Sequence, residues 1–147
     1  MNLKPALFIS LAAGFVGHAV AAEPDWSKVD QALGRPAVVQ AAGVHRYGLP
    51  RTDLTVTHDG VTLRPAFALG GWVSFLPMGT EAMVMGDLVL TPDEVGPVMQ
   101  KLVEGGIEIS AVHNHLLRST PAVFYMHVGG HGDPVRLADA LRAGIAL

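Results

Sequence analysis

Cysteine is absent from all 147 residues, which excludes disulfides, thiolate metal ligands and a cysteine-borne lipid anchor together. Charge is also scarce: 16% of residues are Asp, Glu, Lys or Arg, and the formal net charge is −3. The ten Lys plus Arg are scattered, so no basic face offers itself to nucleic acid. Neither a phosphate-binding glycine loop nor a dinucleotide fingerprint occurs, and there is no Ser or Cys nucleophile motif. Gly129-Gly130-His131-Gly132-Asp133 is rich in glycine but lacks a diagnostic phosphate spacing. Internal repeats and low-complexity tracts are missing too, which excludes solenoids and disordered scaffolds.

Long hydrophobic runs are equally rare. Ala6 to Val20, behind the weakly basic start Met1-Asn2-Leu3-Lys4, is too short for a comfortable membrane span. Ala19-Val20-Ala21-Ala22 places small residues where a signal peptidase needs them. Residues 1–22 are therefore expected to be a signal peptide, and residues 23–147 one exported domain, secreted or periplasmic, with no stable membrane span after processing. That length suits a single packed core.

Within the domain, Trp26, Val29 and Leu33 recur at helical spacing ahead of Gly34, predicting a helix over Asp25–Leu33. Strands are predicted at Val38–Tyr47, Leu54–His58, Val61–Leu63, Ala66–Phe75 and Ala82–Leu90. Asp59-Gly60 joins the second and third through a type I′ turn, and Gly79-Thr80 makes another turn. Thr91-Pro92-Asp93-Glu94 has the capping-box pattern, and Val95, Val98, Met99, Leu102 and Val103 then form one apolar stripe up to Gly105-Gly106. Asp133-Pro134 opens a last helix that buries Leu137, Ala138, Leu141 and Ile145. The later half reads strand, strand, helix, strand, strand, helix. The fold class is α+β, a mostly antiparallel sheet with helices on one side.

The histidines are the main chemical signal. Ile107–Leu117 and Ala122–Val128 read as antiparallel strands joined by the turn Arg118-Ser119-Thr120-Pro121. That hairpin sets His113 nearly opposite His127, with His115 on the same face by the two-residue period. Opposed Cβ atoms lie ~4.5–5.5 Å apart, within reach of one ion with Zn–N bonds of ~2.0–2.1 Å. The competing reading is three separate histidines bonded to backbone or solvent. Asn114 faces the other way.

A fourth ligand, or a partner orienting an imidazole from outside the shell, is sought at Glu81, Asp87 and His131. Glu81, Met83, Met85 and Asp87 share one face of their strand. His131 has the parity of His127, although Gly129-Gly130 between them can interrupt the strand. Zinc is the first choice of metal. Copper is the second, because Met78, Met83, Met85 and Met126 supply thioethers, although methionines also simply fill cores. A cupin-type site is disfavoured, since no Glu follows His115 at the short spacing that site uses. Separately, Arg46 and Arg51 can clamp a carboxylate or phosphate, against the plainer reading of an Arg51–Asp53 pair.

Val44-His45-Arg46, Leu49 to Val56, Met85 to Leu90, Gly105-Gly106-Ile107-Glu108, His113-Asn114-His115-Leu116 and Met126-His127-Val128 resemble, in order, the LppY/LpqO family of exported bacterial proteins, a domain of unknown function. The resemblance spans nearly the whole chain after the leader. It implies export and no settled activity. Members of that family are often longer, with two related units, which raises homodimerisation as the counterpart in this shorter chain.

Three functions are open: a metal-binding protein, a metal-dependent hydrolase using a metal-bound water with Glu81 or Asp87 as base, and an envelope module that binds a small ligand through Arg46 and Arg51 while the histidines are structural. The leader yields the first prediction. Mass spectrometry of the protein from its native host should show an N-terminus at Ala22 or Glu23; a soluble mature form retaining Met1 contradicts it.

Overall fold

The computed structural model of the chain describes residues 23–146. The expected signal peptide, residues 1–22, lies outside the described residues. In chain order the elements are α1 (Trp26–Leu33), β1 (Val38–Val39), a 3-10 turn (Ala41–Gly43), β2 (His45–Pro50), β3 (Thr57–His58), β4 (Val61–Thr62), α2 (Pro65–Ala68), β5 (Gly70–Met78), β6 (Glu81–Leu90), α3 (Pro92–Glu104), β7 (Glu108–His113), β8 (Ser119–Thr120), β9 (Phe124–Gly132) and α4 (Pro134–Ile145). Six strands form an antiparallel sheet in the order β1-β2-β5-β6-β9-β7, and a three-stranded sheet has the order β4-β3-β8. The fold is α+β, as its hairpins and capped helices predict.

Local chemistry explains the elements that match. Asp25 caps α1 through the Ser27 N–H, and Gly34 closes it with φ 68°. Asp59 and Gly60, with φ of 48° and 81°, make the two-residue turn between β3 and β4. Gly79 opens the turn that sets Met78 opposite Glu81. Thr91 and Glu94 close the capping box of α3, with the Thr91 N–H donating to Glu94 Oε2 at 2.8 Å. Asp133 accepts from the Arg136 N–H at the start of α4.

Alternation along β6 and β9 separates the two faces of the large sheet. Ala82, Val84, Leu88, Met126 and Val128 face inward, in one core with Val29 and Leu33 of α1, Val98 and Leu102 of α3, and Leu137 and Leu141 of α4. A smaller cluster joins Val56, Leu63, Leu69 and Val123 to Val89 and Tyr125, which belong to the opposite face. The small sheet thus covers one end of the face that the helices leave free. Among the described residues no helix is long and apolar enough to cross a membrane.

Several expected strands differ. Val38–Tyr47 is interrupted by the turn at Ala41–Gly43, where Ala42 and Gly43 take positive φ, so β1 folds back on β2. Ala66–Phe75 divides into α2 and β5: Pro65, with its fixed φ, starts a helical turn, and strand geometry resumes only at Gly70. Leu54–His58 is strand only at Thr57–His58. On α3 the apolar stripe is narrower than predicted, because Val103 is 58% exposed.

Gly86 lies at the tightest contact of β6. A Cβ there would meet the Trp72 carbonyl oxygen at 2.8 Å, Val73 Cγ1 at 2.8 Å and Val128 Cγ2 at 2.9 Å. Two of these atoms belong to fully or almost fully buried side chains and the third to backbone. Gly86→Ala should therefore cost about 2 kcal/mol of overpacking, read as a lower urea midpoint with an unchanged slope; wild-type stability in this variant contradicts the packing.

Candidate metal centre

His127 is in the middle of β9 and His113 is the last residue of β7. Their register differs from the expected one. His127 is opposite Ala111 on one side and Asp87 of β6 on the other, while His113 is opposite Tyr125. The cause is in the connection, which is no tight hairpin, because Ser119–Thr120 leaves to pair with β3; an irregularity between Ile109 and Ala111 shifts the pairing only on the far side of Ala111. The offset is two residues, an even number, so both imidazoles keep the same face.

His115 lies beyond the end of β7 instead of within it. Its ring is held by stacking on Tyr125, with centroids 3.6 Å apart and planes 17° apart. The Tyr125 hydroxyl in turn donates to the Ala68 carbonyl, which fixes the platform. Burial, and then the Asp87 charge, raise the Tyr125 pKa above its ordinary value, so it stays a neutral phenol.

His113, His115 and His127 each offer a ligand atom, and these atoms all lie within 4.8 Å of one another. His113 Nε2 and His127 Nε2 are 3.3 Å apart, with rings at 89°. Two nitrogens bound tetrahedrally at ~2.0–2.1 Å are separated by about 3.3 Å, so this pair already has the spacing of one coordination edge. In the metal-free protein the same spacing allows one hydrogen bond between neutral imidazoles. The three histidines form a group that can hold a metal ion, of a kind the geometry leaves open.

Of the additional candidates, Asp87 approaches one of the three histidines and the two others approach none. Asp87 Oδ1 is 3.8 Å from His127 Nε2, is buried, and has no hydrogen-bond partner. Glu81 and His131 instead approach each other, at 3.4 Å, with about half of each side chain exposed. β9 runs unbroken through Gly129 and Gly130, so His131 retains the parity of His127, but four residues along a strand place it roughly 13 Å away. Met126 is fully buried on the helix-covered side, while Met78, Met83 and Met85 are 41–60% exposed, with Met83 opposite His131.

Arg46 and Arg51 do not converge. Arg46 lies over the Trp72 ring at 4.0 Å and donates to Ser74 Oγ. Arg51 is saturated: it donates to both Asp53 oxygens, to both Glu94 oxygens and to the Val89 carbonyl. Sequence reasoning anticipated the Arg51–Asp53 pair and missed Glu94, which it assigned to the helix cap alone. Tyr125 was missed as well, although it shares the parity of His127 two residues away. Hydrogen bonds donated to Asp53 and Glu94 raise the Arg51 pKa despite burial, and the bond from Arg51 lowers that of Asp53. Burial by itself would raise Glu94, but Arg51 and the Thr91 N–H together bring it below the usual range.

Both carboxylates have depressed folded-state pKa values, so the stability they confer is complete above the unfolded values of ~4 and is lost as pH falls through the folded ones. Arg51→Ala leaves the half-buried Glu94 uncompensated. It should cost about 2 kcal/mol at neutral pH, less than a fully buried pair because Asp53 is exposed. The deficit relative to wild type should shrink below about pH 4 in urea titrations; a deficit independent of pH contradicts the ionic account.

Residues 27–147 match the DUF1529 family model, described as Domain of Unknown Function (DUF1259). No curated protein matches the chain, and no solved structure does.

Proposed function

The chain belongs to this family of unassigned function, and from the geometry of its own site we propose that it is an exported metal-binding protein whose ion is held by His113, His115 and His127. The observation that carries the reading is the 3.3 Å separation of His113 Nε2 and His127 Nε2, with a third imidazole in reach and an orphaned Asp87 oxygen beside them. A buried acceptor without a donor is costly in an apolar setting. A cation at this place offsets that cost. Zinc fits a three-nitrogen shell completed by Asp87 or water. Copper(II), which also accepts imidazole, is the second choice; the buried Met126 gives it no thioether at this site. Export rests on the composition of residues 1–22 and on the resemblance of the chain's motifs to those of the exported LppY/LpqO proteins.

One observation favours a second reading, hydrolysis. Asp87 is within 4 Å of His127 alone among the three histidines, so it is placed to accept a proton from an attacking water as readily as to complete the shell. A fourth coordination position that exchanges water would favour catalysis, and a closed shell would favour binding or storage.

Tag-free purified protein should contain or take up one equivalent of Zn²⁺ in calorimetric titration. His113→Ala or His127→Ala should weaken binding by more than the ~10–100-fold typical of losing an outer-sphere partner. Affinity should also fall on acidification, because protons compete for the same nitrogens. Equal, weak binding by wild type and the triple alanine variant would return the histidines to a structural role.

Tyr125→Leu removes the platform under His115 without touching a ligand atom. It should weaken Zn²⁺ binding by about tenfold, less than loss of His127, by releasing the His115 ring. Unchanged affinity in this variant would show that stacking does not position the third imidazole.

A further inference from the structure

A concave site lies apart from the three histidines. A cavity of about 300 Å³ opens where the ends of α1 and α4 meet the β6–α3 junction, and its charged lining is Arg35, Arg51, Arg142, Asp53 and Glu94. The volume is at the lower end of the ~300–1,000 Å³ usual for small-ligand pockets. Part of its wall is apolar, formed by side chains that include Leu49, Val98 and Ile145. None of the candidate metal ligands lines it.

The charges do not balance. Arg51 is neutralised by Asp53 and Glu94, which leaves the pocket with more guanidinium than carboxylate. Arg35 has one donor committed to the Gly48 carbonyl and exposes the rest. Arg142, in the last turn of α4, is exposed as well. Among the described residues neither has a carboxylate within ion-pair distance. Arg51 thus braces one wall, and Arg35 and Arg142, which have no carboxylate partner among the described residues, line the same mixed polar and apolar recess.

We propose that this cavity binds a small monocarboxylate with an apolar body, its carboxylate held by Arg35 and Arg142 and its hydrocarbon part lying against Leu49, Val98 and Ile145. Guanidinium forks match a carboxylate geometrically. The two carboxylates already lining the pocket repel a multiply charged anion, and inorganic phosphate makes no use of the apolar part of the wall. This assigns anion recognition to Arg35 and Arg142 instead of the expected Arg46 and Arg51, since Arg46 is engaged with Trp72 and Arg51 has no free donor.

The test is calorimetric titration of the purified protein with sodium octanoate, 1-octanol and inorganic phosphate in parallel. Octanoate should bind at one site at least about tenfold more tightly than either comparator. Arg35→Gln and Arg142→Gln, both at exposed positions that leave the core intact, should each weaken octanoate by about tenfold, and Arg46→Gln should not. His127→Ala should retain octanoate binding, which separates this site from the metal centre. Absence of octanoate binding overturns the proposal, as does equal binding of octanol, tighter binding of phosphate, or indifference to both arginine substitutions.

Discussion

The register of β6 against β9 is the constraint on which the rest of the molecule depends. Nine successive pairs, from Ala82↔Gly132 to Leu90↔Phe124, lock these central strands together. Because side chains alternate, the pairing puts Val84, Leu88, Met126 and Val128 under the helices and Asp87 and His127 on the other face. A slip of β9 by one residue would turn His127 inward and Met126 and Val128 outward, burying an imidazole while exposing part of the core. The burial of the inward set, at about 25 cal/mol per Å² of apolar surface, is what holds the chemical set in place. Gly86 allows the approach that this register demands.

Much of this arrangement is legible in the sequence because it is local. Capping boxes, Asp-Gly turns and terminal glycines act over four or five residues, and α1, α3, α4 and the β3–β4 turn follow from them. Alternation of apolar residues likewise identifies β6 and β9. The errors arise where long-range pairing decides the outcome. Nothing between Val38 and Tyr47 marks the positive φ at Ala42, and Ser119–Thr120 is recruited by Thr57–His58, some sixty residues away. At the metal centre, parity was enough to group His113 with His127 despite an incorrect register, because an even displacement preserves the face. His115 came to the group for a different reason, the stacking on Tyr125.

Charge is so sparse in this chain that each cluster has a distinct use. The Arg51, Asp53 and Glu94 cage joins the turn after β2 to the end of β6 and the start of α3. Its members satisfy one another, and Glu94 also serves the helix cap. Asp87, by contrast, lacks a partner two residues before Val89, the residue whose carbonyl the cage holds. Saturated ion pairs around the end of β6 and an unsatisfied carboxylate two residues earlier on it separate structural charge from chemical charge over a short distance.

The small sheet gives the histidine group an uneven foundation. His113 and His127 are carried by the large sheet and its helical core, whereas His115 belongs to the segment that runs into β8 and the cluster around Val56 and Val123. Two-residue strands open at lower free energy than nine-residue ones. An ion shared by all three imidazoles would therefore act as a rivet between two layers of unequal stability, transferring part of its binding energy to the weaker layer. Conversely, transient detachment of that layer would loosen one of the three attachments while two remain, giving a stepwise path for exchange that a site built wholly on the central strands would lack.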